Sequence, residues 1–242
     1  MRSVARLSPP LAVLLAAGLL AAAPSDYVVA AFSNMRPGGA VVGWSELRLG
    51  DAERSRYALV EDGGAVVVRG QADGSASGLV RRFDLDPAQF PVLTWRWKAD
   101  NVIAGGDMRR KGGDDYAARV YVTFDYDPAR LPFGDRVKHR ALRALGYDDL
   151  PLRALSYVWA NQPGRTEIVP NAFTDWVYMV PVEAGAAHVG TWRAERRDLV
   201  ADYRAAFGED PPNISGVAIM TDGDNTGGAA TAYFGDIRLG AR

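Results

Sequence analysis

Carboxylates are the first residues in this chain whose type and spacing could do chemistry. Asp114 and Asp115 follow Gly112-Gly113, and a second acidic run reads Asp222-Gly223-Asp224-Asn225-Thr226-Gly227. Carboxylates at a loop mouth can ligate a cation, accept hydrogen bonds from sugar hydroxyls, or serve as acid and base. Adjacent residues of an extended chain point opposite ways, so Asp114 and Asp115 do not form one dyad. The later run fits the first half of a calcium loop, with oxygens at alternate positions and glycine at the sixth. The bidentate Glu expected at the twelfth position is replaced by Tyr233, and Val217 to Met220 reads as strand rather than helix. An EF-hand is thereby rejected. What remains is a loop that gathers oxygens of Asp222 and Asp224 for a cation or a glycan, calcium being the cofactor that suits oxygen ligands in a chain without Cys. A simple Asx-rich turn is the common alternative.

Arginines and aromatics form the second set. Leu93, Trp95 and Trp97 share one face of an alternating stretch, and Thr94, Arg96 and Lys98 share the other. Tyr116 to Asp125 alternates likewise, with Val120, Val122 and Phe124 opposite Arg119, Tyr121 and Thr123. With the apolar faces in the core, Arg96 and Arg119 are expected outward on neighbouring strands, beside Tyr121. A guanidinium fork there suits a sugar carboxylate or vicinal hydroxyls, and Asp115 could orient it. The competing expectation buries Arg119 in an ion pair with Asp115. Catalytic motifs are scarce. Gly74-Ser75-Ala76-Ser77-Gly78 has Ala76 where a nucleophile elbow needs Ser, and no zinc-protease, Walker or dinucleotide signature exists. His139 and His188 read as surface residues. A lyase or hydrolase acting on envelope or extracellular glycans, with Tyr121 as acid and base beside an arginine, is the enzyme alternative.

These side chains need strands to hold them, and the composition supplies strands. The chain has 242 residues, 26 Gly, 14 Pro and no Cys, with 28 basic against 29 acidic residues. Near-neutrality offers no positive field for nucleic acid, and the missing Cys removes disulfides and thiolate chemistry. Arg2 and Arg6, an apolar run from Leu11 to Ala23 and small residues after it describe a secretory signal over residues 1–25. The run is too short to span a bilayer, which takes about 20 residues. A soluble periplasmic or secreted protein follows, beginning between Pro24 and Phe32, with no membrane span in its mature form. Past the signal, short stretches with period-two alternation are parted by Gly, Pro, Asp and Asn. Arg56–Val60 and Ala65–Arg69 flank Glu61-Asp62-Gly63-Gly64 as a hairpin. Helices are expected over Gly134–Leu145, with Val137, Ala141, Leu142 and Leu145 as its stripe, and over Arg193–Phe207. Nine to eleven strands without a long linker make residues 26–242 one all-β domain, a β-sandwich with one or two inserted helices.

Several segments in one order carry a resemblance. Leu93-Thr94-Trp95-Arg96-Trp97-Lys98, Gly113 to Val120, Leu155-Ser156-Tyr157-Val158-Trp159-Ala160-Asn161, Ala218 to Gly227 and Ala232 to Ile237 together resemble domain-of-unknown-function family 3047, a group of exported bacterial proteins. The likeness runs from about Phe32 to Leu239. It implies a jelly-roll, galactose-binding-like sandwich, a fold often used to hold sugars. It also implies a role for Asp236, since an acidic residue before the final strand residues often helps hold a structural calcium. The expected ligand-binding set is Arg96, Lys98, Asp114, Asp115, Arg119, Tyr121, Trp159, Asn161, Asp222, Asp224 and Asn225. The expected partner is a glycan or small polar ligand, and the expected state is a monomer.

Overall fold

A computed structural model describes residues 26–144 and 151–242. The expected signal segment, residues 1–25, and Leu145 lie outside the described residues. The first strands are β1 (Tyr27–Ala30), β2 (Ser45–Arg48), β3 (Arg56–Asp62), β4 (Ala65–Asp73), β5 (Ala76–Leu85), β6 (Val92–Ala99) and β7 (Arg119–Phe124). After helix α1 (Phe133–Ala144) come β8 (Ala154–Ala160), β9 (Val169–Pro170), β10 (Val177–Ala184) and β11 (Arg193–Asp198). Helix α2 (Leu199–Phe207), β12 (Ile214–Asp222) and β13 (Ala229–Gly240) complete the order.

Among the described residues two sheets result, and the fold is an all-β jelly-roll sandwich with two α-helices. One sheet runs β11-β6-β13-β4-β3, with β1 also paired to β13. The other runs β2-β5-β12-β7-β8-β10-β9, and its β8–β10 pair is the parallel one. Leu93, Trp95 and Trp97 of β6 face inward against Leu155, Tyr157 and Trp159 of β8. Ring centroids of Trp95 and Tyr157 lie 5.2 Å apart, and those of Trp97 and Trp159 lie 6.0 Å apart. Each such ring removes about 150–250 Å² from water, at about 25 cal/mol per Å². Aromatic alternation on two strands therefore locks the sheets together.

The β3–β4 hairpin turns at Gly63 and Gly64, with φ of 59° and 76°. Both central residues of a two-residue turn of this hand need positive φ, which glycine adopts without a Cβ clash. Helix α2 is shorter than expected. Arg193–Asp198 is strand β11, an edge strand paired residue by residue with β6 from Trp97 to Val92. Its arginines favour a helix by propensity, but the open edge of β6 offers a ladder, and charge on an edge strand discourages further pairing. Asp198 caps α2 by accepting from the Ala201 N–H at 3.0 Å, and Gly208 ends it at φ 71°. Helix α1 departs further from expectation. Of its stripe, Leu142 packs on the Leu131, Leu152 and Trp176 cluster, whereas Val137 and Ala141 are exposed.

Candidate functional site

Strands β7 and β12 are neighbours, with Arg119 opposite Met220. Their outward rows carry Arg119, Tyr121 and Asp222 on the face away from the core. Residues 100–118 cross that face and close it. Met108 and Tyr116 pack there on Ala154, Val158 and Met179, and Tyr116 is fully buried. Gly113 makes the crossing fit: a Cβ on it would stand 2.7 Å from the Asp107 backbone nitrogen.

Arg119 lies under this cover, 3% exposed. Its Nε donates to Asp222 Oδ1 at 2.9 Å, and its terminal nitrogens donate to Asp222 Oδ2, the Asp114 carbonyl, Asp114 Oδ1 and Tyr121 Oη. The Tyr116 ring stacks 4.3 Å from the guanidinium carbon. Asp222 also accepts from the Tyr116 N–H, and Asp114 from Asn171 Nδ2 at 2.7 Å. Asp115 turns away from this arginine. Its two oxygens accept from the N–H groups and side chains of Asn225 and Thr226, which pins the 222–227 run against the start of β7. Asn161 serves the same framework, accepting from the Ile103 N–H at 2.7 Å and donating to the Asp115 carbonyl at 2.6 Å. Asp224 and Asn225 are exposed at the rim.

The cluster holds Asp114, Asp115, Asp222 and Asp224 around one guanidinium. Burial pushes the Asp222 carboxyl up to about 7, against the pull of Arg119. Burial also raises Asp114 and, together with Asp115, raises Asp224. Carboxylate oxygens of Asp115, Asp222 and Asp224 lie within 4.8 Å of one another, a group that could hold a metal ion. Asp236 is not part of it: on β13 it accepts from the Ser33 N–H and hydroxyl at 2.9 and 2.6 Å.

Four more expectations are corrected here. Arg96 and Lys98 do not meet Arg119, because consecutive strands β6 and β7 belong to opposite sheets and their polar rows look out on opposite sides of the sandwich. Trp159 is a core residue whose Nε1–H donates to the Gly185 carbonyl at 3.0 Å. Arg119 is buried in ion pairs as the competing account held, but with Asp222 and Asp114 instead of Asp115. Arg119 spends its donors on Tyr121 Oη, Asp222 and Asp114, so Tyr121 and Arg119 do not form an open acid–base pair.

The outer face of the other sheet is built differently. Lys98 Nζ donates to both oxygens of Asp62 at 2.8 and 2.7 Å, and it stands 4.1 Å over the Tyr233 ring. Arg96 stacks 4.7 Å from Trp192, whose Nε1–H donates to Asp62 at 2.8 Å. The Trp192 and Tyr233 centroids are 6.4 Å apart. Two glycines make room. A Cβ on Gly63 would stand 2.7 Å from Trp192 Nε1, and one on Gly235 would stand 2.5 Å from Arg96 Cγ. Trp192, Tyr233, Arg96, Lys98 and Asp62 all remain part-exposed. Partial burial opposes ionisation of Asp62, yet the hydrogen bonds from Lys98 and Trp192 hold its carboxyl below the usual carboxylate range. Sequence reasoning missed Trp192, Tyr233 and Asp62. Tyr233 alternates with the inward Phe234 and was findable by parity, whereas nothing in the spacing marks Trp192.

A family model described as "Protein of unknown function (DUF3047)" matches residues 42–238. No curated protein matches the chain. Among solved structures, it is similar to the family 11 carbohydrate-binding module of the cellulosomal cellulase Lic26A-Cel5E of Clostridium thermocellum. That likeness has 11% identity and a TM-score of 0.43, covering 90% of this chain and 95% of that one. The same module in complex with a β-1,3-1,4-mixed-linked tetrasaccharide gives 10% identity and a TM-score of 0.44, over 88% and 94% of the two chains. A β-1,2-glucanase from Parabacteroides distasonis matches at 12% identity and a TM-score of 0.42, over 89% of this chain and 25% of that one. Likeness at this level carries no ligand across, and what the chain can bind is read from its own side chains.

Proposed function

We propose a function on the premise that the chain belongs to the DUF3047 family: it is an exported β-sandwich that binds a glycan on the outer face of its six-stranded sheet. The single observation that carries this reading is the half-open aromatic floor of Trp192 and Tyr233, ringed by Asp62, Arg96 and Lys98. Pyranose rings present apolar C–H faces that stack on such planes, and their hydroxyls need donors and acceptors held around the edge. Here the edge groups are already oriented by one another, so binding orders little that is not ordered beforehand. The basic start and the 13-residue apolar run support export to the periplasm or beyond. A glycan array followed by calorimetry on the best hit tests the reading. Trp192→Ala should lower affinity by about 30-fold, the value of an aromatic hot spot of about 2 kcal/mol. An array with no binder, or unchanged affinity in the variant, refutes it.

One observation favours a second, compatible feature, a calcium ion on Asp115, Asp222 and Asp224. Four carboxylates share that cluster with one guanidinium, which pairs with Asp222 and Asp114, and a hard cation with oxygen ligands would relieve the excess charge. The fit is partial. Asp224 is the least engaged, accepting from Asn225 Nδ2 on Oδ1 at 3.2 Å, whereas both oxygens of Asp115 and of Asp222 accept hydrogen bonds from Thr226, Asn225 and Arg119.

A further inference from the structure

Helix α1 is amphipathic the wrong way round for a core element. Phe133, Val137, Ala141 and Ala144 recur at three- and four-residue spacing and lie on one side of the helix. That side faces solvent: Phe133 is 74% exposed and Val137 50%. Pro128 and Ala129 of the preceding turn continue the apolar strip along a groove of about 330 Å³. The helix is attached to the body through Leu142, which joins the Trp176 cluster, and through His139 and Lys138, which lie over the Trp176 ring. Around the strip stand Arg136, Lys138 and Arg140, against Asp135 as the helix's one acid. The whole chain carries a net charge of −1, so this basic patch is local.

We propose that α1 is an interfacial helix that seats the protein on an anionic phospholipid surface. An apolar strip with arginines along its borders can enter the acyl boundary while guanidinium groups meet lipid phosphates. Charge selects this occupant. A second copy of the same face would set arginine against arginine, and a soluble polyanion would leave Phe133 and Val137 in water. Seating here leaves the Trp192 face to its own ligand, since that face belongs to the other sheet.

Co-sedimentation of the full chain with vesicles tests the proposal. Phosphatidylglycerol vesicles should bind at least about tenfold better than phosphatidylcholine vesicles, and about 0.5 M salt should remove most of that preference. Arg136→Gln with Arg140→Gln should weaken binding by roughly fivefold per charge. Phe133→Ser with Val137→Ser should weaken it comparably, and both pairs should melt as the parent does. The apolar N-terminal run is common to all of these proteins, so the differences report α1 alone. Equal binding to the two lipids, or variants that bind like the parent, overturns the proposal. So does a dimer in sedimentation equilibrium that Phe133→Ser with Val137→Ser dissolves, or a soluble polyglutamate that binds as tightly as the vesicles.

Discussion

The two outer faces of the sandwich use the same parts. One pairs Arg119 with Asp222 over the Tyr116 ring, and the other pairs Lys98 with Asp62 beside Trp192 and Tyr233. They differ in what covers them. Residues 100–118 close the first, leaving Arg119 3% exposed, while the Lys98 and Asp62 side chains keep 13% and 24% of their surface. Electrostatics follows the cover. Desolvation outweighs the arginine at Asp222 and raises its carboxyl, whereas at Asp62 the hydrogen bonds win and the carboxyl falls. A cation, a carboxylate and an aromatic ring are a structural knot when sealed and a recognition surface when left half open.

The largest effect that would break this contrast is at Arg119. Arg119→Met should cost about 3–5 kcal/mol of stability, because Asp222 and Asp114 would stay buried without their partner. Thermal melting measures it, at about 2–4 °C per kcal/mol for a chain of this size. The loss should be smaller at pH 5 than at pH 8, since a protonated Asp222 needs no guanidinium. Trp192→Ala, by contrast, should affect binding more than melting. Calcium is the intermediate case. At a hundredfold excess over its dissociation constant it should stabilise the fold by about 2.7 kcal/mol relative to chelator. Coincident melting curves would remove the ion from Asp115, Asp222 and Asp224. The remaining effect is a slope. A carboxyl raised in the folded state binds its proton there first, so Asp222 should erode stability as pH rises from about 4 to about 7. Denaturant titrations of Asp222→Asn across that window should show a flatter profile than the parent, and parallel profiles would contradict the assignment.

Much of this was legible in the residues, and the failures have physical causes. Alternation in Val92–Lys98 and Tyr116–Asp125 places Trp95, Trp97, Val120 and Val122 inward correctly, because a half-buried strand must separate its faces. Alternation says nothing about which sheet a strand joins, so it cannot separate Arg96 on β6 from Arg119 on β7. Trp159 sits on a strand buried on both faces, where parity has no polar side to reveal. Arg193–Asp198 reads as helix from its residue types, and only the vacant edge of β6 makes it a strand. Asp114, Asp115, Asp222 and Asp224 gather in one cluster, although their spacing in the chain does not bring the two loops together. The partner each one takes depends on how residues 100–118 fold over them, which spacing does not encode.

Strand β13 has one more consequence, concerning when the molecule can fold. It follows every other strand among the described residues, yet it lies inside its sheet, with β6 along one side and β4 and β1 sharing the other. Until Ala229–Gly240 has left the ribosome, β4 and β6 have no strand between them, and the six-stranded half of the core has no closed form. The long-range pairing that completes it is then a late, single step rather than a gradual accretion. A chain built this way keeps this sheet open until β13 is made.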